Sequence, residues 1–151
     1  MALEVGKKAP GFELPDEDGK VVSLSDFKGK RLVVFFYPKA NTSGCTREAC
    51  DFRDEVAAFK KKKVAVVGIS KDTPAAQKKW KEKYDLPFPL LADPGLEVLK
   101  SWGAWGEKVM YGKKILGTIR STVIVGPDGK VEKVFPKVKV DGHVTSVLES
   151  L

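Results

Sequence analysis

The two cysteines of the chain, Cys45 and Cys50, stand in a single run, Pro38-Lys39-Ala40-Asn41-Thr42-Ser43-Gly44-Cys45-Thr46-Arg47-Glu48-Ala49-Cys50. Two nearby thiols can attack an electrophile, be oxidised and pair with each other, so this run is the first candidate for chemistry. The residues before it, Leu32 to Tyr37, are apolar, β-branched or aromatic, and read as a strand buried on both faces that Pro38 ends. After it, Cys45, Ala49, Phe52, Val56 and Phe59 recur at spacings of four, three, four and three, which predicts one amphipathic helix with Cys45 in its first turn. Unpaired backbone N–H groups and the positive end of the helix dipole meet there, and both favour a thiolate over a thiol.

Cys50 sits on a different face. Five residues of helix turn through about 500°, so Cys50 points roughly 140° away from Cys45, toward Asp54 and the polar flank. The same geometry separates the two Cα atoms by roughly 8.6 Å. A disulfide tolerates less than about 7 Å, so joining the pair requires the first turns of the helix to unwind. Such a bond suits a pair that cycles between redox states better than it suits a structural staple.

The elements that must hold this run follow from the rest of the chain. Its 151 residues suffice for one well-buried domain spanning 1–151 and are short for two. Phe12 to Leu14 and Val21 to Leu24 flank Asp16-Glu17-Asp18-Gly19 as a hairpin, and Ser25-Asp26-Phe27 reads as a capped single turn. Val64 to Ser70 is a second buried strand, and Thr73-Pro74 caps and opens a helix running to about Tyr84. Pro87 to Leu91 is extended, Gly95 to Trp102 a short helix, and Gly103 to Gly117, which lacks a clean period, a loop. Ser121 to Val125 and Lys130 to Phe135 form a hairpin about Pro127-Asp128-Gly129, and Asp141 to Leu151 closes the chain as a helix. This order gives an α/β fold of the thioredoxin-like kind: a central mixed sheet flanked by helices, with an N-terminal β-hairpin. In such sheets the working site lies at the carboxyl ends of the strands, where Thr42 and Cys45 follow Leu32 to Tyr37.

Composition narrows the function. No apolar stretch is long enough to span a bilayer, and the first residues lack the hydrophobic block of a secretory signal, so a soluble cytoplasmic protein without a membrane role is expected. In a reducing compartment two cysteines are more often catalytic than structural. The net charge of +7 comes from lysine-rich faces such as Lys60 to Lys63, with no basic motif interleaved with aromatics, so no nucleic-acid partner is expected. Two cysteines and the distant His143 do not make a zinc site, and nothing calls for a metal or cofactor. Taken singly, the cysteines could be small buried hydrophobes, Thr42 a cap residue, Arg120 a surface arginine and Trp80, Trp102 and Trp105 packing residues.

Context changes that balance. Pro38, Thr42 and Cys45 form the Pro-x-x-x-Thr-x-x-Cys pattern, and the chain resembles the peroxiredoxins, in particular the peroxiredoxin Q subfamily, also called bacterioferritin comigratory protein. Phe36-Tyr37-Pro38-Lys39, Ala49-Cys50-Asp51-Phe52-Arg53-Asp54, Tyr84-Asp85-Leu86-Pro87-Phe88, Trp105-Gly106-Glu107-Lys108 and Arg120-Ser121-Thr122 extend the resemblance along essentially the whole chain. One departure is Ser43, where the subfamily usually carries proline; serine frees φ and restores an N–H donor. The resemblance implies reduction of hydrogen peroxide and organic hydroperoxides, with Cys45 as the nucleophile that becomes a sulfenic acid and Cys50 as the resolving cysteine of an intramolecular disulfide. It implies Arg120 as the active-site arginine, Thr42 offering its hydroxyl to thiolate and peroxide, Pro38 shielding the pocket, and thioredoxin or a similar dithiol as reductant. A monomer, or at most a weak dimer, is expected. Two other readings stay open on the residues alone. A thioredoxin-type disulfide oxidoreductase would reduce insulin but usually needs Cys-x-x-Cys, which is absent. A redox-sensing or holdase-like binding protein would show no steady-state peroxide turnover.

Overall fold

The structure, a computed structural model, describes residues 3–151. Its first strands, β1 (Glu13–Pro15) and β2 (Val21–Ser23), pair antiparallel as the expected hairpin. Asp16 Oδ1 accepts the backbone N–H groups of Asp18 and Lys20, each at 2.9 Å, and closes the turn. A 3-10 turn follows at Leu24–Phe27, where Ser23 N donates to Asp26 Oδ2 at 2.9 Å.

The central sheet is built from β3 (Arg31–Phe36), β4 (Val64–Ser70), β5 (Leu90–Ala92), β8 (Ser121–Val125) and β9 (Val131–Phe135), in the order β5-β4-β3-β8-β9. Strands β3, β4 and β5 run parallel, and β8 and β9 add antiparallel neighbours, so the sheet is mixed. Because side chains alternate along a strand, β3 feeds two cores. Val33 and Phe35, with Tyr37 just beyond, face α1 (Ser43–Asp54), α2 (Val56–Lys61), α3 (Pro74–Tyr84) and α5 (His143–Glu149) through Cys45, Ala49, Phe52, Phe59, Trp80 and Val147. Leu32, Val34 and Phe36 face the N-terminal hairpin and α4 (Glu97–Ser101) through Phe12, Leu14, Val22 and Leu99. Gly68 is required at the centre of β4, since a Cβ there would come within 2.8 Å of the Phe35 ring and 3.0 Å of Tyr37. No helix among the described residues is long and apolar enough to cross a membrane.

Two expectations need correction. The single helix from Cys45 through Phe59 is broken at Glu55, whose φ of −105° and ψ of 9° leave the helical region, so Val56 and Phe59 belong to the separate α2. Apolar spacing survives a one-residue break, which is why periodicity did not reveal it. The segment from Gly103 to Gly117 is not a loop: β6 (Trp105–Met110) and β7 (Lys113–Thr118) pair antiparallel across Tyr111 and Gly112, which have φ of 53° and 76°. Both faces of this arm's outer half meet solvent, with Val109, Tyr111 and Leu116 exposed, so no alternation was there to be read. The cue was Gly112 behind Tyr111, as the two positive φ values suit a two-residue hairpin turn.

Candidate active site

The end of β3 delivers the chain to the cysteine run. Tyr37 N donates to Ile69 O at 3.3 Å, half-buried Pro38 turns the chain away, and Ala40 N donates to Asp72 Oδ2 at 2.8 Å. Asp72 is itself held by Ser70 Oγ at 2.6 Å, and Gln77 Nε2 donates to Ser70 Oγ at 2.9 Å while Gln77 Oε1 accepts from the Tyr37 hydroxyl at 2.5 Å. A buried polar chain thus ties the loop before the cysteine to β4 and α3.

Thr42 has extended backbone angles and caps α1, its carbonyl accepting the first helical bond from Thr46 N at 2.8 Å. Cys45 therefore occupies the third helical position, in the first turn, and is 1% exposed. The Thr42 hydroxyl departs from expectation: it donates to Lys39 O at 2.8 Å, not to the sulfur, and the residue is exposed. That bond turns the side chain back over the loop. Its lone pairs remain open to a hydroxyl donor.

Arg120 does reach the sulfur. It lies in the short connection between β7 and β8, where Ile119 N donates to Ala104 O at 2.7 Å and Arg120 O accepts from Val138 N at 2.7 Å. From that anchored backbone Nη2 donates to Cys45 Sγ at 3.2 Å and Nη1 to Glu48 Oε1 at 2.8 Å. Gly44 makes room for this fork, because a Cβ at that position would stand 3.3 Å from Nη2. Burial works against the guanidinium's charge, but the Cys45 sulfur and the Glu48 carboxyl outweigh it and hold its pKa above the ordinary value. The geometry is that of a bidentate cation shared between a sulfur and a carboxyl group.

Behind Arg120, sequence reasoning passed over Glu48 and weighed His143 only as a zinc ligand. Glu48, one turn after Cys45, is fully buried, and its Oε2 has no hydrogen-bond partner among the described residues. His143, at the start of α5, is buried too; its Nε2 lies 2.7 Å from Thr122 Oγ1 on β8 and 3.9 Å from Glu48 Oε2. Burial pushes the Glu48 carboxyl up to about 7, with Arg120 opposing and Asp51 adding to the rise. Burial, and then Arg120, push His143 down to about 4. The available signal was a glutamate on the same helix face as Cys45 and Phe52, a place where an unpaired charge is costly.

Cys50 is half-buried on the other flank of α1, and both thiols are free. Burial pushes its thiol up, Arg53 opposes, and Asp54 and Asp51 reinforce the shift. α1 is unbroken from Cys45 through Cys50, so the structure describes the reduced, folded arrangement. The clefts of about 550 and 530 Å³ include none of Thr42, Cys45 or Arg120 in their walls. Asp16, Glu17 and Asp18 bring carboxylate oxygens within 4.8 Å of one another, but Asp16 closes its turn and Glu17 takes Lys81 Nζ at 3.0 Å and Leu90 N at 3.2 Å.

A polarised cysteine at a helix N-terminus, on a central mixed sheet of this order, defines a thiol enzyme of the thioredoxin superfold. The model of the AhpC/TSA family matches residues 5–134, and the chain belongs to that family. It is 45% identical over 149 residues to the peroxiredoxin Bcp of Escherichia coli K12, covering 99% of this chain and 96% of that one. The peroxiredoxin Bcp of Bacillus subtilis is 42% identical over 151 residues, with 100% and 96% covered. Among solved structures, the bacterioferritin comigratory protein of Xanthomonas campestris, studied for alkyl peroxide reduction, superposes with a TM-score of 0.90 at 32% identity, over 97% of this chain and 96% of that one. Xylella fastidiosa PrxQ superposes with a TM-score of 0.93 at 28% identity, over 99% and 96%. The chain is accordingly a peroxiredoxin, an enzyme that reduces peroxides through a cysteine thiol.

Proposed function

We propose that this single-domain chain reduces hydrogen peroxide and organic hydroperoxides in the cytoplasm, with Cys45 as nucleophile, Cys50 as resolving thiol and a thioredoxin-type dithiol as reductant. The observation that carries the reading is the Arg120 Nη2 contact to Cys45 Sγ at 3.2 Å, made beside the first turn of α1. A thiolate held there attacks the outer peroxide oxygen; an S–O bond forms, the O–O bond breaks, and the departing oxygen takes a proton as water or alcohol. Negative charge builds on that oxygen next to the Arg120 fork and the open N–H groups of α1, the kind of donor set that stabilises an oxyanion. Thr42 accepts the peroxide hydroxyl, and Pro38 limits water at the rim. Cys50 then attacks the sulfenic sulfur, releasing water and closing a disulfide that the external dithiol reopens by exchange. The alkyl peroxide activity of the Xanthomonas relative supports organic hydroperoxides as substrates. The deep burial of Cys45 supports a small substrate over a protein disulfide, and so disfavours the oxidoreductase reading.

The test is peroxide consumption coupled to thioredoxin and its reductase, with hydrogen peroxide and a bulky hydroperoxide side by side. Cys45→Ser should be inactive; Cys50→Ser should consume about one equivalent and then, under excess peroxide, climb to the sulfinic acid seen by mass spectrometry. Turnover by Cys45→Ser at the wild-type rate would remove the assignment.

A further inference from the structure

Behind the reacting sulfur the site holds two acidic groups and one guanidinium. Arg120 divides its fork between Cys45 Sγ, at 3.2 Å from Nη2, and Glu48 Oε1, at 2.8 Å from Nη1. The other groups facing Glu48 are few. On α1 they are Cys45 and Asp51; on α5 His143 stands 3.9 Å from Oε2; the exposed pair Arg47 and Asp141 lies further out, toward Asp51. His143 is not a second cation, since burial and Arg120 hold it neutral above about pH 4. If Cys45 and Glu48 were both ionised, the buried site would carry two negative charges against one positive, which a low-dielectric interior penalises heavily.

We propose that Glu48 is a positioning residue that keeps the charge of the site constant, protonated while Cys45 is a thiolate and ionised once Cys45 is neutral, as sulfenic acid or disulfide. The proposal rests on Cys45 being the thiolate nucleophile. In the reduced site the thiolate has the guanidinium to itself, and the Glu48 carboxyl offers Arg120 a neutral oxygen. Its proton sits on Oε2, the atom that lacks any donor among the described residues and that faces His143. When the thiolate attacks ROOH, its electron pair forms the S–O bond and RO⁻ departs. The sulfur becomes neutral, so the guanidinium loses its counter-charge. Glu48 then releases its proton and takes over as counter-ion. The proton given up balances the one that RO⁻ needs to become ROH, and the site is neutral before and after. A burial-raised carboxyl titrating near 7 fits this alternation, because either state lies within reach at neutral pH. Glu48 would thus leave Arg120 free for the sulfur during attack and re-engage it afterwards.

The experiment is infrared difference spectroscopy of the protonated-carboxyl band across pH, with Cys50→Ser protein so that oxidation stops at the sulfenic acid. Mass spectrometry on the same samples reports the state of Cys45. The reduced protein should show a carboxyl band that is absent from Glu48→Gln and that titrates about one pH unit or more higher than in the oxidised protein, as expected for coupled acids. Cys45→Ser should lower that midpoint in the same way, and this arm stands even if Glu48→Gln folds poorly. A Glu48 band with the same midpoint in all three states, or none in the reduced protein, overturns the inference while leaving Cys45 as nucleophile. Failure of Cys45 to oxidise at all would instead overturn the functional reading.

Discussion

At the scale of single residues, burying Glu48 against His143 sets a pH dependence that the intact protein conceals. Glu48 moves from 4.5 to about 7 and His143 from 6.5 to about 4, both chiefly through burial. Between these limits the folded protein keeps a proton on Glu48 and none on His143, whereas the unfolded chain holds it on the histidine and not on the glutamate. The two states bind equal numbers of protons, so the pair contributes almost no slope to stability there. Single replacements uncover the two halves. In Glu48→Gln only His143 remains, the unfolded chain binds more protons, and stability should rise between about pH 4 and 6.5 by at most ~1.4 kcal/mol per unit. In His143→Asn only Glu48 remains, the folded state binds more protons, and stability should fall as pH rises from about 4.5 to 7. Urea unfolding at a series of pH values measures both slopes; parallel curves for the two variants would mean that these groups keep ordinary titrations.

At the scale of elements, the proposed Cys45–Cys50 disulfide would make α1 both a scaffold and a part that comes undone. Its first turn is held by Thr46 N donating to Thr42 O, by Trp80 Nε1 donating to Thr46 Oγ1 at 3.0 Å, and by the Arg120 fork on Cys45 and Glu48. Joining Cys45 to Cys50 must release much of this. Closing a loop of about six residues contributes roughly 2 kcal/mol through chain entropy. Losing about four backbone hydrogen bonds costs about 4 kcal/mol at ~1 kcal/mol each, before the side-chain contacts are counted. The reduced protein should therefore be the more stable form, with more helix by far-UV circular dichroism, and its disulfide should be easily reduced. An oxidised form that unfolds at higher urea and keeps full helix content would show that the pair bonds without unwinding. The contacts that α1 must shed are spread over α3, α5 and the β7–β8 connection, so local opening need not disturb β3, which carries the core on both its faces.

At the scale of the molecule, the two faces of the sheet divide the labour. The α1 face holds Cys45 and Glu48: Phe52 stacks on Phe35 at a centroid distance of 4.7 Å and meets the edge of His143 at 6.2 Å, one turn beyond Glu48. The opposite face buries Leu99 fully among Phe36, Trp102 and their neighbours, in a core separate from the one that holds Cys45. Leu99→Ala should cost about 2–5 kcal/mol and leave the rate of Cys45 oxidation unchanged. Phe52→Ala should cost about 3–5 kcal/mol and also slow that oxidation, because the helix face bearing Cys45 and Glu48 loses its support. Urea unfolding and stopped-flow peroxide reduction on the same samples decide it; equal rates in both variants would mean that the site does not depend on its own layer.

The cysteine run, its place in the first turn of a helix, the strand that leads to it and the mixed α/β order were all legible in the chain, because each follows from an apolar run, a proline or a helical spacing. The Pro38, Thr42 and Cys45 spacing was legible as a local pattern, whereas Arg120 stood out only through the family resemblance. What depends on neighbours distant in sequence was decided only in three dimensions. The guanidinium of Arg120 comes to the sulfur across 75 positions, and Glu48 becomes a buried acid only when β8 and α5 close over it with Thr122 and His143. The Thr42 hydroxyl turns toward Lys39, and the arm from Trp105 to Thr118 pairs with itself while leaving its apolar tip in solvent. Periodicity reports burial, so a solvated hairpin leaves no trace in it, and the ionisation of a carboxyl depends on what surrounds it, which residue spacing alone cannot supply.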